Sequence, residues 1–176
     1  MIYGAILKEG LELFTCFKEI FHSLDNFQKN YNWLITDVEA APFKAGHYER
    51  ITQSGRYAWI SGEELTGIIK KDNFPWIWGV LSGFEKCYEK EEILRYDLPY
   101  ADGYGGFWKT ELSIQHPLAS IELVAWDGCL TFFLSKQENL VKMFRTAFPL
   151  SDDLKEYNKG ITEEKKYLKW LQERQS

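Results

Sequence analysis

The sequence is poor in cysteine and lacks both a long hydrophobic run and a targeting signal. Its three cysteines, Cys16, Cys87 and Cys129, are odd in number and widely spaced, which argues against a disulfide framework and favours a reducing compartment. No apolar stretch approaches the length needed to span a bilayer, and the first residues lack the charged lead of a signal peptide. We therefore expect a cytoplasmic protein.

Clusters of basic residues are also absent. The chain has 21 Lys and Arg against 26 Asp and Glu, a formal net charge of −5, and no run of cations stands out. Because nucleic-acid binding needs clustered cations to neutralise phosphates, we expect no nucleic-acid partner, and we expect no membrane partner either. An acidic surface would suit a basic protein partner.

The residue patterns of a metal site are missing as well. His22, His47 and His116 are isolated, and no cysteine has another within a few residues. A metal site needs several such ligands to converge, often with close spacing on at least one element. We expect no metal and no cofactor.

Nucleophilic catalysis has no recognisable pattern in this chain. In Gly79–Gly83 the serine falls one residue too late for a G-x-S-x-G nucleophile elbow. Cys16 lies in a predicted helix and Cys129 in a predicted core strand, where thiols usually behave as small inert hydrophobes. The lack of these catalytic patterns favours a protein that is not an enzyme.

Aromatic residues are what the chain has in excess. Seven Trp, ten Tyr and twelve Phe make up 16% of its 176 residues, a length that suits one domain. Each ring removes a large area from water when it is buried. We expect the core to contain most of the tryptophans that fall in predicted strands, namely Trp33, Trp59, Trp76, Trp78 and Trp126.

Hydrophobic periodicity predicts alternating strands and helices. Short β-rich runs predict strands at 2–7, 31–36, 48–52, 56–60, 75–82, 120–126 and 129–134. Apolar residues at three- and four-residue steps predict helices over 11–24, after 61, after 135 and from 162, with a polar connection over 151–160. The run at 75–82 is almost continuously apolar, which is typical of a central strand covered on both faces.

Three short motifs mark element boundaries. Ser61–Glu64 and Ser135–Glu138 both have the spacing of a capping box, in which a serine hydroxyl accepts a hydrogen bond from the amide three residues on. Asp127-Gly128 tolerates the positive φ angles of a two-residue hairpin turn.

These elements predict a single α+β domain. We expect an antiparallel or mixed sheet with helices mainly on one face and a C-terminal helix. The domain would cover residues 1–150, and residues 151–176 would form a C-terminal helical extension packed on or beside it.

The glycine-rich loop around 103–106 is the first place to look for a ligand. Its glycines permit close approach of the backbone, and the flanking rings could stack on a bound molecule. The spacing G-x-G-G, with no helix signal after it, does not fit a phosphate-binding loop, and a tight aromatic turn is the alternative. The candidate ligand-binding residues are Tyr100, Asp102, Tyr104, Trp108 and His116, of which His116 is the nearest plausible base.

Two family resemblances follow from particular segments. The order of Tyr3–Ile6, Tyr31–Ile35, Ser61–Ile69 and Ile121–Ser135 resembles a family of small uncharacterised proteins from Bacillus-type bacteria, over most of residues 1–150. Leu98-Pro99-Tyr100 is similar to a motif of the SMI1/KNR4-like immunity proteins, which are also small acidic α+β domains, although there the motif precedes a helix. Neither resemblance implies a catalytic residue.

Three functional hypotheses remain. The first is a non-enzymatic protein-binding module of an immunity or regulatory type. The second is a small-ligand-binding protein or enzyme with a pocket at residues 100–108. The third is an assembly subunit, and the chain would be a monomer or a homodimer.

Overall fold

A seven-stranded antiparallel sheet forms the centre of the computed structural model, which describes residues 1–9, 15–43, 46–52, 55–162 and 165. The strand order is β3-β2-β4-β5-β6-β1-β7. The strands are β1 Tyr3–Leu7, β2 Tyr31–Ala40, β3 Tyr57–Ser61, β4 Trp76–Glu85, β5 Ile121–Trp126, β6 Leu130–Ser135 and β7 Asp152–Asp153. β4 lies between β2 and β5, as predicted for the apolar run at 75–82.

Six α-helices are present in the described residues, together with two 3₁₀ helices. The α-helices are α1 Phe17–Ser23, α2 His47–Thr52, α3 Gly62–Lys71, α4 Lys90–Ile93, α5 Glu138–Ala147 and α6 at 154–162. The 3₁₀ helices are Phe27–Asn30 and Gly105–Trp108.

The longer helices pack mainly on one face of the sheet, which we call the helical face. Its strand residues include Trp33, Leu81 and Leu123. The helices place over them the buried side chains Phe17, Ile20, Phe21, Leu65, Ile68, Val141 and Phe144. The predicted α+β fold, with an antiparallel sheet and helices mainly on one face, is therefore confirmed.

The opposite face, here the loop face, is covered mostly by irregular chain. The segment 86–120 and α6 cross this face. They bury Ile93, Ala101, Phe107, Ala119 and Leu154 against the sheet. The candidate ligand-binding residues predicted from the sequence all lie in the irregular segment 86–120 of this face.

A β-bulge in β4 separates two tryptophans that sequence alternation would place together. Trp76 and Trp78 pair with neighbouring residues of β2, so β4 has one extra residue, Ile77, at this point. Residues two apart on a regular strand share a face. Here Trp76 instead packs on Phe17 on the helical face, and Trp78 packs on Trp126 on the loop face.

The first capping motif is confirmed and the second is wrong. Ser61 Oγ accepts a hydrogen bond from the amide of Glu64 at 3.2 Å, and α3 follows. Ser135 instead remains in β6, fully buried, where its hydroxyl donates to the carbonyl of Ser120 and accepts from the amide of Gln137. Strand pairing of β6 continues through Ser135, so α5 begins only at Glu138.

The hairpin between β5 and β6 turns at the predicted dipeptide. Asp127 and Gly128 both have positive φ, 51° and 65°, and the amide of Cys129 bonds to the carbonyl of Trp126. Cys129 forms a third loop residue, because Trp126 pairs with Leu130. Its expected place in a core strand is therefore wrong, since the thiol lies exposed in the turn.

Two other segments differ from their predicted structure. Residues 48–52, predicted as a strand, belong to α2, where only Ile51 is buried. Residues 151–160, predicted as a polar connection, contain β7 and most of α6. Leu154 and Asn158, one helical turn apart, are both fully buried there, and a buried asparagine leaves no hydrophobic signal.

The predicted helix boundaries near the chain's start and end fall partly outside the described residues. The predicted helix at 11–24 begins only at Phe17, because Thr15 and Cys16 are not helical, and residues 10–14 lie outside the description. Of the helix expected from residue 162, only residues 162 and 165 are described. The division of the chain at residue 150 stays a prediction.

Candidate functional site

Five partly exposed rings lie in one cluster of ring contacts on the loop face, which we call the aromatic surface. Trp126 contacts Trp78 and Trp108 edge to face, with centroids 5.1 and 5.4 Å apart. Tyr100 and Tyr104 continue the patch, 5.3 Å apart. The buried ring of Phe107 joins the two groups, because it contacts both Tyr104 and Trp126.

A second bulge, in β2, holds the loop that carries the two tyrosines. The register of β2 against β4 shifts between Thr36 and Glu39. Within this bulge Asp37 adopts a left-handed φ of 52°, which aspartate tolerates. Its Oδ2 accepts hydrogen bonds from the amides of Ala101 and Asp102, at 2.6 and 2.9 Å. A single carboxylate thus fixes the backbone between the two tyrosines.

Gln115 provides a second attachment for the same loop. Its side-chain amide donates to the carbonyl of Tyr100 at 2.9 Å, and its side-chain oxygen accepts from the amide of Tyr100 at 3.1 Å. This paired contact resembles one rung of a β-ladder. The Tyr100 backbone is therefore held even though its ring is half exposed.

The glycines of the loop serve its own packing. Gly103 has a φ of 76°, a conformation that favours glycine. A methyl group on Gly106 would overlap with the ring of Tyr104, which lies directly over that backbone. The close approach predicted for a ligand is thus made, at Gly106, by a tyrosine of the same loop.

Removing the Asp37 carboxylate should loosen this loop. In Asp37→Gly the positive φ is retained at no steric cost, but two charge-assisted hydrogen bonds are lost, so we expect the protein to be destabilised by about 1–3 kcal/mol. The amides of Ala101 and Asp102 should exchange with solvent faster than in the parent, which hydrogen exchange followed by NMR or mass spectrometry measures.

Asp37→Asn is the matched control for this change. It keeps both the tolerated φ and one side-chain acceptor oxygen, so its effect should be clearly smaller than that of the glycine variant. Unchanged exchange at the two amides in Asp37→Gly would contradict the assigned role of the carboxylate.

Three carboxylates lie beside the aromatic surface, and Lys109 follows Trp108. Asp102 follows Tyr100 closely in the loop, Asp127 follows Trp126, and Glu39 lies opposite Trp78 in the β2–β4 register. All three are exposed. The surface therefore combines apolar rings with a negative rim.

The side chain of His116 contacts residues other than the predicted site residues. Its imidazole is buried and contacts Phe84 and Tyr96 edge to face, at 4.7 and 5.1 Å. Nδ1 accepts from the amide of Leu118, so Nε2 carries the proton and donates to the carbonyl of Ile93 at 3.1 Å. Both nitrogens are thus engaged with backbone groups.

Burial lowers the pKa of His116, and the positive charge of Lys136 adds to this, against the opposing effect of the Ile93 carbonyl. A neutral ring with both nitrogens bonded can join two segments of the loop face. The structure thus brings together Tyr100, Asp102, Tyr104 and Trp108, and gives His116 other contacts.

The remaining chemical candidates offer no converging group in the described part of the chain. No three His, Cys, Asp or Glu side chains come together there to hold a metal. Burial raises the pKa of the Cys16 thiol to about 11, so this thiol is a poor nucleophile. Among the described helices, none is both long and apolar enough to cross a membrane.

Comparisons with known proteins give no relative from which a function could be inferred. No protein-family model, no curated protein and no solved structure matches the chain. Function must therefore be argued from the geometry alone.

The sequence identified three rings of the aromatic surface, Tyr100, Tyr104 and Trp108, but assigned the other two to the core. Trp78 and Trp126 lie in predicted strands and were therefore predicted to be buried, yet both are partly exposed. The position of Trp126 beside the hairpin turn was the one available signal, since strand ends are seldom covered. For Trp78 no local signal existed, because the β4 bulge decides which face it is on.

Proposed function

We propose that this protein is a non-enzymatic binding module that engages another protein through the aromatic surface. The observation that carries the proposal is the patch of partly exposed Trp and Tyr rings, held by hydrogen bonds of the loop backbone. Trp and Tyr are the residues most enriched at energetic centres of protein interfaces. Pre-ordered rings also lose little conformational entropy on binding.

The negative rim supports a basic partner. Arginine is the best match, because its guanidinium group stacks on aromatic faces and pairs with carboxylates at the same time. In this proposal the protein has an immunity-type or regulatory role and acts in the cytoplasm. Three unpaired cysteines, two of them exposed, support a reducing compartment.

Site-specific photocrosslinking in cells tests the proposal. A photoreactive amino acid at Tyr100 should give a crosslinked protein that is not captured when the same group replaces Lys142, an exposed residue of α5 on the other side of the sheet. Against the purified partner, Tyr100→Ala should weaken binding about tenfold or more. Asp102→Asn should weaken it less and reduce its salt dependence.

Two results would contradict this function. One is a capture pattern that is the same at residues 100 and 142. The other is a partner whose affinity is unaffected by Tyr100→Ala and independent of ionic strength.

A further inference from the structure

A small groove on the helical face gathers cations that are far apart in the sequence. It lies between α1, the 3₁₀ helix Phe27–Asn30 and α3, and its volume is about 290 Å³. Lys18 comes from α1, Lys29 from the 3₁₀ helix and Lys70 from α3, and His22 is one helical turn after Lys18. We call this feature the basic groove.

Among the residues that the structure describes, no carboxylate lines the basic groove. Lys29 has an exposed ion pair with Glu63 at 3.5 Å, which solvent weakens. Within the described residues, neither Lys18 nor Lys70 has an acidic group within ion-pair distance. In a chain of net charge −5, three ammonium groups around one small concavity create a local site for an anion.

The floor of the groove carries a buried acceptor whose orientation is fixed. Thr66 Oγ1 donates to the carbonyl of Gly62 at 2.6 Å, so it accepts from Gln28 Nε2 at 2.8 Å. Gln28 is completely buried, and its Oε1 has no hydrogen-bond donor among the described residues. A buried acceptor without a donor is unfavourable, and a ligand hydroxyl can supply the missing hydrogen bond.

Apolar side chains complete the groove. Phe21 and Ile69 line it beside the polar groups and offer carbon contacts. The volume corresponds to about ten water molecules, at the lower end of ligand-binding cavities. These dimensions suit a small metabolite rather than a segment of a macromolecule.

We propose that the basic groove binds a small organic phosphate ester that also carries hydroxyl groups. The phosphate lies among the three lysine ammonium groups, a hydroxyl donates to Gln28 Oε1, and the carbon skeleton contacts Phe21 and Ile69. The site is separate from the aromatic surface, since the two lie on opposite faces of the sheet. It does not depend on the proposed protein partner.

Titrations of the full chain followed by two-dimensional ¹H–¹⁵N NMR test this inference. At low ionic strength, glycerol 3-phosphate should shift the amides over 18–29 and 62–70 in a saturable way at concentrations below about 10 mM. Propyl phosphate, which lacks the hydroxyls, should bind several-fold more weakly, as should inorganic phosphate. Glycerol alone should cause no saturable shift.

Charge variants separate a specific site from general attraction. Lys18→Gln and Lys70→Gln should each weaken binding of glycerol 3-phosphate about five- to tenfold. Lys86→Gln, which removes an exposed lysine outside the groove, should leave it unchanged. Lys18, Lys70 and Lys86 are exposed, so each variant should fold. The melting temperature of each variant checks this.

Several outcomes would overturn the proposal. These are the absence of saturable shifts with either ester, an equal loss of binding in Lys86→Gln, and equal binding of propyl phosphate. Tighter binding of citrate would indicate a carboxylate site instead, and tighter binding of a short oligonucleotide would indicate a nucleic-acid surface.

Discussion

Gly62→Ala should be among the most destabilising single-methyl changes in this protein. α3 begins at Gly62 directly against the 3₁₀ helix Phe27–Asn30. A β-carbon at Gly62 would overlap with the carbonyl oxygen of Gln28, and it would lie 2.7 Å from the carbonyl carbon of Gln28 and 2.8 Å from Lys29 Cα. All three are backbone atoms, which cannot yield without moving an entire segment.

The displaced segment is tied to the core on both sides. The Gln28 carbonyl accepts from Trp33 Nε1 at 2.9 Å, and α3 buries Leu65 and Ile68 against the sheet. Separating them would disturb all of these contacts, so we expect a loss of about 3 kcal/mol or more in the free energy of unfolding. Urea denaturation measures this loss.

Gly67→Ala is a matched control in the same helix. A β-carbon at Gly67 would have no neighbour within 4 Å, so this variant should gain about 0.5–1 kcal/mol from helix propensity. Opposite signs for the two variants would confirm that close packing, rather than helix propensity, requires Gly62. Similar effects in both would refute it.

Glu122→Gln should stabilise the protein, and more so at alkaline pH. Glu122 lies fully buried on β5, on the loop face, opposite Ser82 of β4. Burial raises the pKa of this carboxyl to about 8, although amide donors from Gln115 and His116 and the nearby Ser82 hydroxyl favour the charged form. Oε1 accepts from the amide of Gln115 at 2.9 Å, whereas Oε2 has no hydrogen bond of normal geometry among the described residues.

The direction of the pH effect follows from the protonation of Glu122 in the folded and in the unfolded chain. Below about pH 4.5 the carboxyl is protonated in both the folded and the unfolded chain. As the pH rises from there to about 8, the unfolded chain loses this proton while the folded chain retains it, so the contribution of Glu122 to stability falls. Above that range the cost of burying the charge is fully present.

Glutamine keeps the shape of the side chain and an oxygen that accepts from Gln115, but it does not titrate. Glu122→Gln should therefore resemble the parent near pH 5 and exceed its stability by a few kcal/mol near pH 9, with about 5 kcal/mol as the order of the upper limit. Urea denaturation at both pH values measures the difference. Glu111→Gln, at an exposed loop position, should show no such dependence.

If the stability difference between Glu122→Gln and the parent does not change with pH, the carboxyl is not held protonated by burial. In that case hydrogen bonds, rather than desolvation, would dominate at this position.

The sequence by itself determined most of the secondary structure. Six of the seven predicted strands, the Asp127-Gly128 turn and the Ser61 cap depend on local patterns, and these local preferences survive in the folded chain. The α+β class follows from the order of those elements. Where tertiary pairing opposed a local motif, as at Ser135 in β6, the local prediction was wrong.

The glycine-rich loop around 103–106 could also be recognised in the sequence, but the residues that hold it in place could not. Asp37 lies far along the chain from the backbone amides that it binds at residues 101 and 102. No local pattern links groups separated in this way, because such a hydrogen bond exists only once both strands and the loop are in place. The contacts of His116 with Phe84 and with the carbonyl of Ile93 have the same origin.

Only the tertiary structure decided which residues make the two proposed sites. A bulge on β4 turns Trp78 away from Trp76 and adds it to the aromatic surface, and bulges arise from pairing with a neighbouring strand. In the basic groove, Lys18, Lys29 and Lys70 meet because Gly62 lets α3 approach the 3₁₀ helix. The chain has few clustered cations in sequence, and folding nevertheless makes one cluster in space.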